Sequence, residues 1–283
     1  MAVICHRRWD PLVSRSSAAV LTGLARGCHP GPTFVVTLVA ALLTVSAGAP
    51  LSTTAVVGVT VLTGQLSIGW SNDWLDAARD VTRQDKPTAA GVIGPPTLRT
   101  AAVAALVGTA LLSVLLSWPY GLWQLALVAA GWAYNLGLKA TVASPVPYAV
   151  GFGALPIYAL TAANVTVAWW VPVCGALLGV AGHFANAAPD VELDLAQGVD
   201  GLPQRVGTQR SLGIALAVLA VAGAVLVGQL DLSGRAAATA AGVVVLPLFL
   251  GLWTLVRGRN TRLTFRLVMV AAVLDVLLLV VAS

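Results

Sequence analysis

Apolar positions along the chain gather into long runs separated by short polar breaks. Nine such runs stand out: Pro30–Gly48, Leu51–Trp74, Leu98–Ser117, Tyr120–Leu138, Pro145–Ala163, Val167–Pro189, Leu212–Gln229, Gly234–Val256 and Leu263–Ala282. Each approaches the roughly 20 residues that an α-helix needs to cross a bilayer. The pattern predicts an all-α polytopic membrane protein with about nine transmembrane helices. The fourth run is the least hydrophobic, holding Trp123, Gln124, Trp132, Tyr134 and Asn135. The fifth carries Pro145, Pro147 and Pro156, which predicts a kink, since prolines are tolerated where neighbouring helices satisfy the freed backbone groups.

Composition narrows the class without changing it. Of 283 residues, 58% are apolar and 10% charged, and the mean hydropathy is +0.88. Soluble domains carry about 25% charged residues. The chain therefore reads as a polar, basic tail over residues 1–20 followed by a single transmembrane domain over 21–283. A net charge of +5 could suggest nucleic acid, but basic cytoplasmic loops explain it more simply, and no nucleic-acid partner is expected. Cys5, Cys28 and Cys174 are scattered and read as free thiols rather than a disulfide framework or zinc site. Nothing before Arg26 resembles a cleaved signal peptide.

The loops set an orientation. With the N-terminus in the cytoplasm, nine alternating spans put fifteen of the sixteen Lys and Arg residues on the cytoplasmic side, and only Arg235 falls outside. That asymmetry is what the positive-inside rule predicts. The acids follow the same division. Asp73, Asp76, Asp80 and Asp85 follow the second run, and Asp190, Glu192, Asp194 and Asp200 follow the sixth. Eight of eleven acids thus belong to two clusters on the cytoplasmic face.

The first cluster, Asn72-Asp73-Trp74-Leu75-Asp76-Ala77-Ala78-Arg79-Asp80, spaces Asn72, Asp76 and Asp80 at i, i+4, i+8. If the helix continues through them, these groups share one face over two turns, where like charges repel. Stacked carboxylates call for a cation. Mg²⁺ takes oxygen ligands and is usually held by one or two carboxylates together with substrate phosphates, so two facing acidic helix ends suit a metal-bound diphosphate. Arg83 and Lys86 after the first cluster, Lys139 after the fourth run, and Arg205 and Arg210 after the second cluster are candidates to complete that pocket. Asp85 and Asp200 read as solvated loop residues, and Glu192 faces away from Asp190 and Asp194. His183 and Asn186 share a face with Asp190 and would line a polar cavity, although a histidine bonded to a neighbouring helix explains His183 equally well. Asp275, mid-span, reads as a protonated or paired structural acid. Trp70, Trp74, Trp118 and Trp169, near span ends, read as interfacial anchors. Gly151-Phe152-Gly153 lies inside a span, not at a strand–helix turn, and is no nucleotide fingerprint.

These residues resemble the motifs of the UbiA superfamily of intramembrane prenyltransferases. Asn72, Asp73, Asp76 and Asp80 match the first motif, N-D-x-x-D-x-x-x-D, with Lys86-Pro87 and Gly91 downstream. Asp190, Asp194, Gly198 and Leu202-Pro203 match the second, D-x-x-x-D-x-x-x-G followed by Leu-Pro. Tyr134 and Lys139 match, more loosely, a Tyr–basic element between them. The resemblance spans the chain from about Leu21.

It implies helices ringed around a central cavity, with Mg²⁺ and a prenyl diphosphate at the cytoplasmic end. By that resemblance Asn72, Asp76, Asp80, Asp190 and Asp194 bind the metal, and Asp76, Asp80, Asp190 and Asp194 are the catalytic carboxylates. Asn72, Asp73, Arg83, Lys86, Tyr134 and Lys139 contact substrate by the same resemblance, and His183, Asn186 and Arg205 are expected to do so from their positions beside the second cluster. The expected reaction is transfer of an isoprenyl group to an aromatic or other electron-rich acceptor. Trp123, Trp132 and Tyr134 either wall the cavity or pack the core. The stretch Val81–Pro87 is about one residue shorter than in quinone-pathway members. A UbiA-type terpene cyclase, acting without an acceptor, is the alternative. A secondary transporter is a further one, disfavoured because the acids lie at one membrane face. The expected setting is an integral protein of the plasma membrane, its site opening to the cytoplasm, with no obligatory protein partner.

Overall fold

The computed structural model describes residues 16–229, 234–258 and 261–282. Most of the expected basic tail, with Arg7, Arg8, Arg15 and Cys5, lies outside the described residues, as does Arg259. The described chain is helical. A short α1 (Ser17–Gly27) precedes α2 (Pro30–Ser46), α3 (Leu51–Leu75), α4 (Pro95–Leu115), α5 (Gly121–Leu136), α6 (Pro145–Ala162) and α7 (Trp170–Ala187). Two short helices, α8 (Val191–Ala196) and α9 (Leu202–Val206), lead to α10 (Thr208–Gln229), α11 (Gly234–Val256) and α12 (Thr261–Ala282). Prolines at the first turns of α2, α4 and α6 fit a position where no backbone N–H is required.

Each of the nine expected runs holds one long helix, but crossing power is unequal. Among the described residues seven stretches are long and apolar enough to span a bilayer: α3, α4, α6, α7 continued through α8, α10, α11 and α12. The helices α1 and α2 qualify only as a pair bent by 65°, which would make eight. At 16 residues α5 falls short, ending at Leu136 where Gly137 takes φ 149°. The fold is thus an all-α bundle with seven to eight candidate membrane spans.

Consecutive long helices pack side by side, and α12 returns to pack on both α2 and α7. Facing surfaces carry small and hydroxyl residues; α3 buries Thr54, Val57, Thr60, Val61, Gly64 and Ser67. Small side chains let helices approach in an apolar solvent, and polar ones then bond across the seam. Thr109 Oγ1 and Gln124 Nε2 both donate to the Thr60 carbonyl, at 2.9 and 3.3 Å. Large residues such as Leu51, Leu115, Phe249 and Val256 point outward, as a lipid-facing surface requires. Pro156 lies inside α6, which continues through it. The carbonyl four residues back, at Phe152, loses its helical partner. Gly175 of α7 packs there, so close that a Cβ would come within 2.4 Å of that oxygen.

The helix α1 is not among the runs expected from the sequence, and it straddles the boundary at residue 20 expected between tail and domain. Trp70 Nε1 donates to the Leu24 carbonyl at 2.8 Å, and Arg26 donates to the Asp85 carbonyl at 3.2 Å. At Gly69, a Cβ would lie 2.5 Å from the Cys28 carbonyl oxygen, so the α1–α2 break crosses α3 at backbone contact. Trp70 is therefore packed under α1, not free as an interfacial anchor. Trp74 sits edge-on to Trp132, with Arg99 5.7 Å from its ring centroid. Trp118 and Trp169 are exposed, as expected of anchors. Asp275 is buried, its Oδ2 without a hydrogen-bond partner, and no cation pairs with it among the described residues. Cys28 and Cys174 are free thiols.

Candidate functional site

The first acidic stretch is not one helical face. The helix α3 ends at Leu75, Asp76 caps it, and Asp80 follows the turn at residues 76–79. Carboxylates at a helix C-terminus oppose the macrodipole, and α3 has no basic residue in its last turn, so the helical conformation stops where the acids accumulate. A local bond keeps Asp80 close: its N–H donates to the Asp76 carbonyl at 2.9 Å.

Basic side chains from three segments meet these acids. Lys86 Nζ and His29 Nε2 lie 2.6 and 2.9 Å from Asp73 Oδ1. Arg79 stands 2.6 Å from Asp76 Oδ2, and Lys139 pairs with Asp76 Oδ1. Lys139 reaches it because α5 gives way to a single 3-10 turn, Leu138–Ala140. Among the described residues Asp80 pairs only with Arg79 Nε, 3.6 Å away, and its buried Oδ1 makes no hydrogen bond. Burial, only partly offset by Lys86, raises the Asp80 carboxyl above the ordinary carboxylate range. Burial likewise pulls the Lys139 ammonium below its ordinary value, with Asp76 opposing. Asn72 is held differently: its Nδ2 donates to Asn135 Oδ1 at 3.2 Å, while Asn135 donates to the Ile68 carbonyl and Ser71 Oγ.

The second stretch begins in a 3-10 turn, Ala188–Asp190, from which α8 carries Asp194. Arg83 joins the two stretches, its guanidinium 3.9 Å from Asp190 Oδ2 and 3.2 Å from Asp85 Oδ2. Asp190 is 47% accessible. Asp194 Oδ2 accepts from Gln204 Nε2 at 2.7 Å. Asp76 and Asp194 both lie within electrostatic reach of the Tyr134 hydroxyl. Glu192 lines a separate cleft with Thr208 and Arg262, in keeping with its expected direction away from Asp190.

Some expected contacts lie elsewhere. Arg205 is exposed and bound to Asp200, through NH2 to Oδ2 at 2.9 Å and through Nε to the carbonyl at 3.1 Å, not turned to the aspartates. The short α9 points it outward while Gln204, one residue earlier, is buried against Asp194. His183 is buried and bonded to Ser144 Oγ at 3.0 Å, its ring packed against Tyr134 and Tyr148. That is the bonded-histidine reading. Asn186 is exposed one turn before Asp190. His29, Asn135 and Gln204 are not among the site candidates that the sequence offers. Asn135 beside Tyr134 and Gln204 beside the Leu-Pro pair were within its reach; nothing in the sequence singles out His29.

The donor set is one of hard oxygens with cations around it. Among the described residues no three His, Cys, Asp or Glu side chains stand arranged as a metal cage. The unbonded Asp80 Oδ1, the accessible Asp190 and Asp194 are oxygen donors of the kind Mg²⁺ takes alongside phosphate oxygens.

Comparison with known proteins gives this arrangement a lineage. The UbiA prenyltransferase family profile matches residues 33–274. No curated protein sequence matches the chain. A UbiA homologue from Archaeoglobus fulgidus bound to DMAPP and Mg²⁺ superposes with a TM-score of 0.67 at 15% identity, over 91% of this chain and 98% of that one. An apo UbiA homologue from Aeropyrum pernix K1 gives 0.68 at 16% identity, over 87% and 95%. A structure described as digeranylgeranylglyceryl phosphate synthase gives 0.66 at 14%, over 92% and 99%. At these identities the likeness speaks for the fold, while the profile match speaks for descent. The chain belongs to the UbiA prenyltransferase family.

Proposed function

We propose that the protein transfers an isoprenyl group from a prenyl diphosphate to an aromatic or other electron-rich acceptor within the membrane. The observation that carries this reading is Arg83, which spans the loop after the first acidic stretch and Asp190 of the second. The two stretches therefore border one site. The Archaeoglobus homologue, with DMAPP and Mg²⁺ bound, supports the choice of ligand.

In this reading Asp76, Asp80, Asp190 and Asp194, with Asn72, hold Mg²⁺ and through it the diphosphate. When bound, Mg²⁺ neutralises charge on the departing diphosphate. Lys86, Lys139 and Arg83 then act as donors to phosphate oxygens, each releasing the carboxylate it pairs with now. Asn135 fixes Asn72, and Gln204 fixes Asp194. Tyr134, next to Tyr148 and His183, forms an aromatic wall that shields the allylic cation from water and offers it π faces. Arg205, bound to Asp200, stays outside the donor set. The N-terminus and the site face the cytoplasm, by the loop charges, and the protein resides in the plasma membrane.

The test is turnover by purified protein in detergent with Mg²⁺, prenyl diphosphates of several lengths and a panel of acceptors. Acceptor-dependent diphosphate release is expected, and Asp76→Asn or Asp190→Asn should abolish it while the protein still inserts and melts cooperatively. Release of hydrocarbon or terpene alcohol without acceptor would replace transfer by cyclisation. Near-normal transfer by both variants would remove the site assignment.

A further inference from the structure

One group beside this site belongs to no motif and lies before the segment that matches the family profile, residues 33–274. His29 joins α1 to α2 with φ 53° and ψ 69°. A non-glycine residue at positive φ is uncommon, and a residue followed by proline is normally extended. Pro30 follows. Such conformations persist where surrounding structure enforces them, and they gather at functional sites. The enforcement is visible. Gly69 lets the Cys28 carbonyl touch α3, Thr33 Oγ1 donates to that same carbonyl at 2.7 Å, and Trp70 and Arg26 tie down α1.

The result is delivery of one imidazole nitrogen. His29 Nε2 stands 2.9 Å from Asp73 Oδ1 and 3.3 Å from Lys86 Nζ, and Lys86 Nζ stands 2.6 Å from the same Asp73 oxygen. The three groups grade in exposure: His29 is 39% accessible, Lys86 12% and Asp73 1%. Asp73 Oδ2 is buried without a hydrogen bond, so every bond to this carboxylate runs through one oxygen with two competing donors. A buried carboxylate stripped of its donors is costly. Were Lys86 its only partner, moving Lys86 to a phosphate oxygen would strand it. With His29 present, Asp73 keeps a donor whichever way Lys86 turns.

Resting on the proposed donor site, we propose that His29 is a positioning residue that keeps Asp73 satisfied and thereby frees Lys86 to engage the diphosphate of the prenyl donor. His29 acts through Asp73 and Lys86, without touching the acceptor.

The experiment compares wild type, His29→Ala, His29→Gln, Lys86→Ala and the double variant His29→Ala/Lys86→Ala. Donor and acceptor KM are measured separately, and geranyl diphosphate with Mg²⁺ is titrated by thermal shift. Removing His29 should raise donor KM and the geranyl diphosphate midpoint about tenfold, the scale of one hydrogen bond to a charged group, leaving acceptor KM in place. His29→Gln, which can donate an N–H to Asp73, should recover most of the loss. The double variant should be no worse than Lys86→Ala. A donor KM unchanged in both His29 variants, an effect on acceptor KM alone, or additive losses in the double variant would overturn the proposal. Should His29→Ala fail to fold, His29→Gln and the wild-type comparison with Lys86→Ala still decide: a Gln variant as impaired as Lys86→Ala counts against it. A wild type that neither binds nor turns over any prenyl diphosphate would instead overturn the donor site itself.

Discussion

Lys139 and Asp76, 63 residues apart, form a buried ion pair joining the turn after α5 to the end of α3. Asp76 also holds Arg79 at 2.6 Å. The carboxylate therefore keeps one cation when Lys139 is lost, whereas a phosphate oxygen would lose its donor. Lys139→Met should accordingly lower kcat/KM about a hundredfold or more, the scale of removing one charge-stabilising donor, while melting stays cooperative. Steady-state kinetics beside a detergent melting curve check this.

Asn135 bonds Ile68, Ser71 and Asn72 from one buried amide. Asn135→Leu leaves the Ser71 hydroxyl and the Asn72 amide short of partners, at a cost of about 1–3 kcal/mol. Both stability and Mg²⁺-dependent turnover should fall. Unchanged turnover at a lower melting temperature would limit Asn135 to a structural role.

Arg205 gives the opposite expectation. Its partner is Asp200, and both side chains are about half exposed, where such a pair contributes about 0–1 kcal/mol. Arg205→Ala should leave kcat/KM within about twofold and the melting temperature nearly unchanged. Gln204→Ala, one position earlier, should cost activity through Asp194. A severe Arg205→Ala phenotype would return Arg205 to the substrate contacts that the sequence motif suggests.

Asp80 makes metal dependence sensitive to pH. Burial raises its carboxyl above the ordinary range in the metal-free protein. A group whose folded-state pKa is raised contributes stability below its unfolded pKa, and loses it as pH rises through the folded value. Mg²⁺ needs the ionised form, so protons compete with it as pH falls through that raised value. The melting-temperature gain from Mg²⁺ plus geranyl diphosphate should therefore grow as pH rises through it, and Asp80→Asn should flatten the dependence. A gain independent of pH in wild type would remove Asp80 from the metal-binding set.

The sequence by itself determined the helical membrane fold and the two acidic stretches, because both are local. A run of twenty apolar residues forms a helix in lipid whatever its neighbours, and a motif such as Asn72–Asp80 is written in consecutive positions. Tertiary structure decided which charges meet. Sequence spacing put Asn72, Asp76 and Asp80 on one helical face, yet α3 ends at Leu75; Asp73 pairs with Lys86, Asp76 with Lys139 and Arg79, and Asp80 has Arg79 at longer range. Arg205 and Gln204 stand side by side in sequence, but a short helix turns one to solvent and buries the other. His29 lies 44 residues from Asp73 and carries no motif. Only the left-handed break between α1 and α2, crossing α3 at Gly69, brings it to the site. Pairings of this kind depend on helix crossings, and a crossing is a relation between faces that no single stretch of sequence contains.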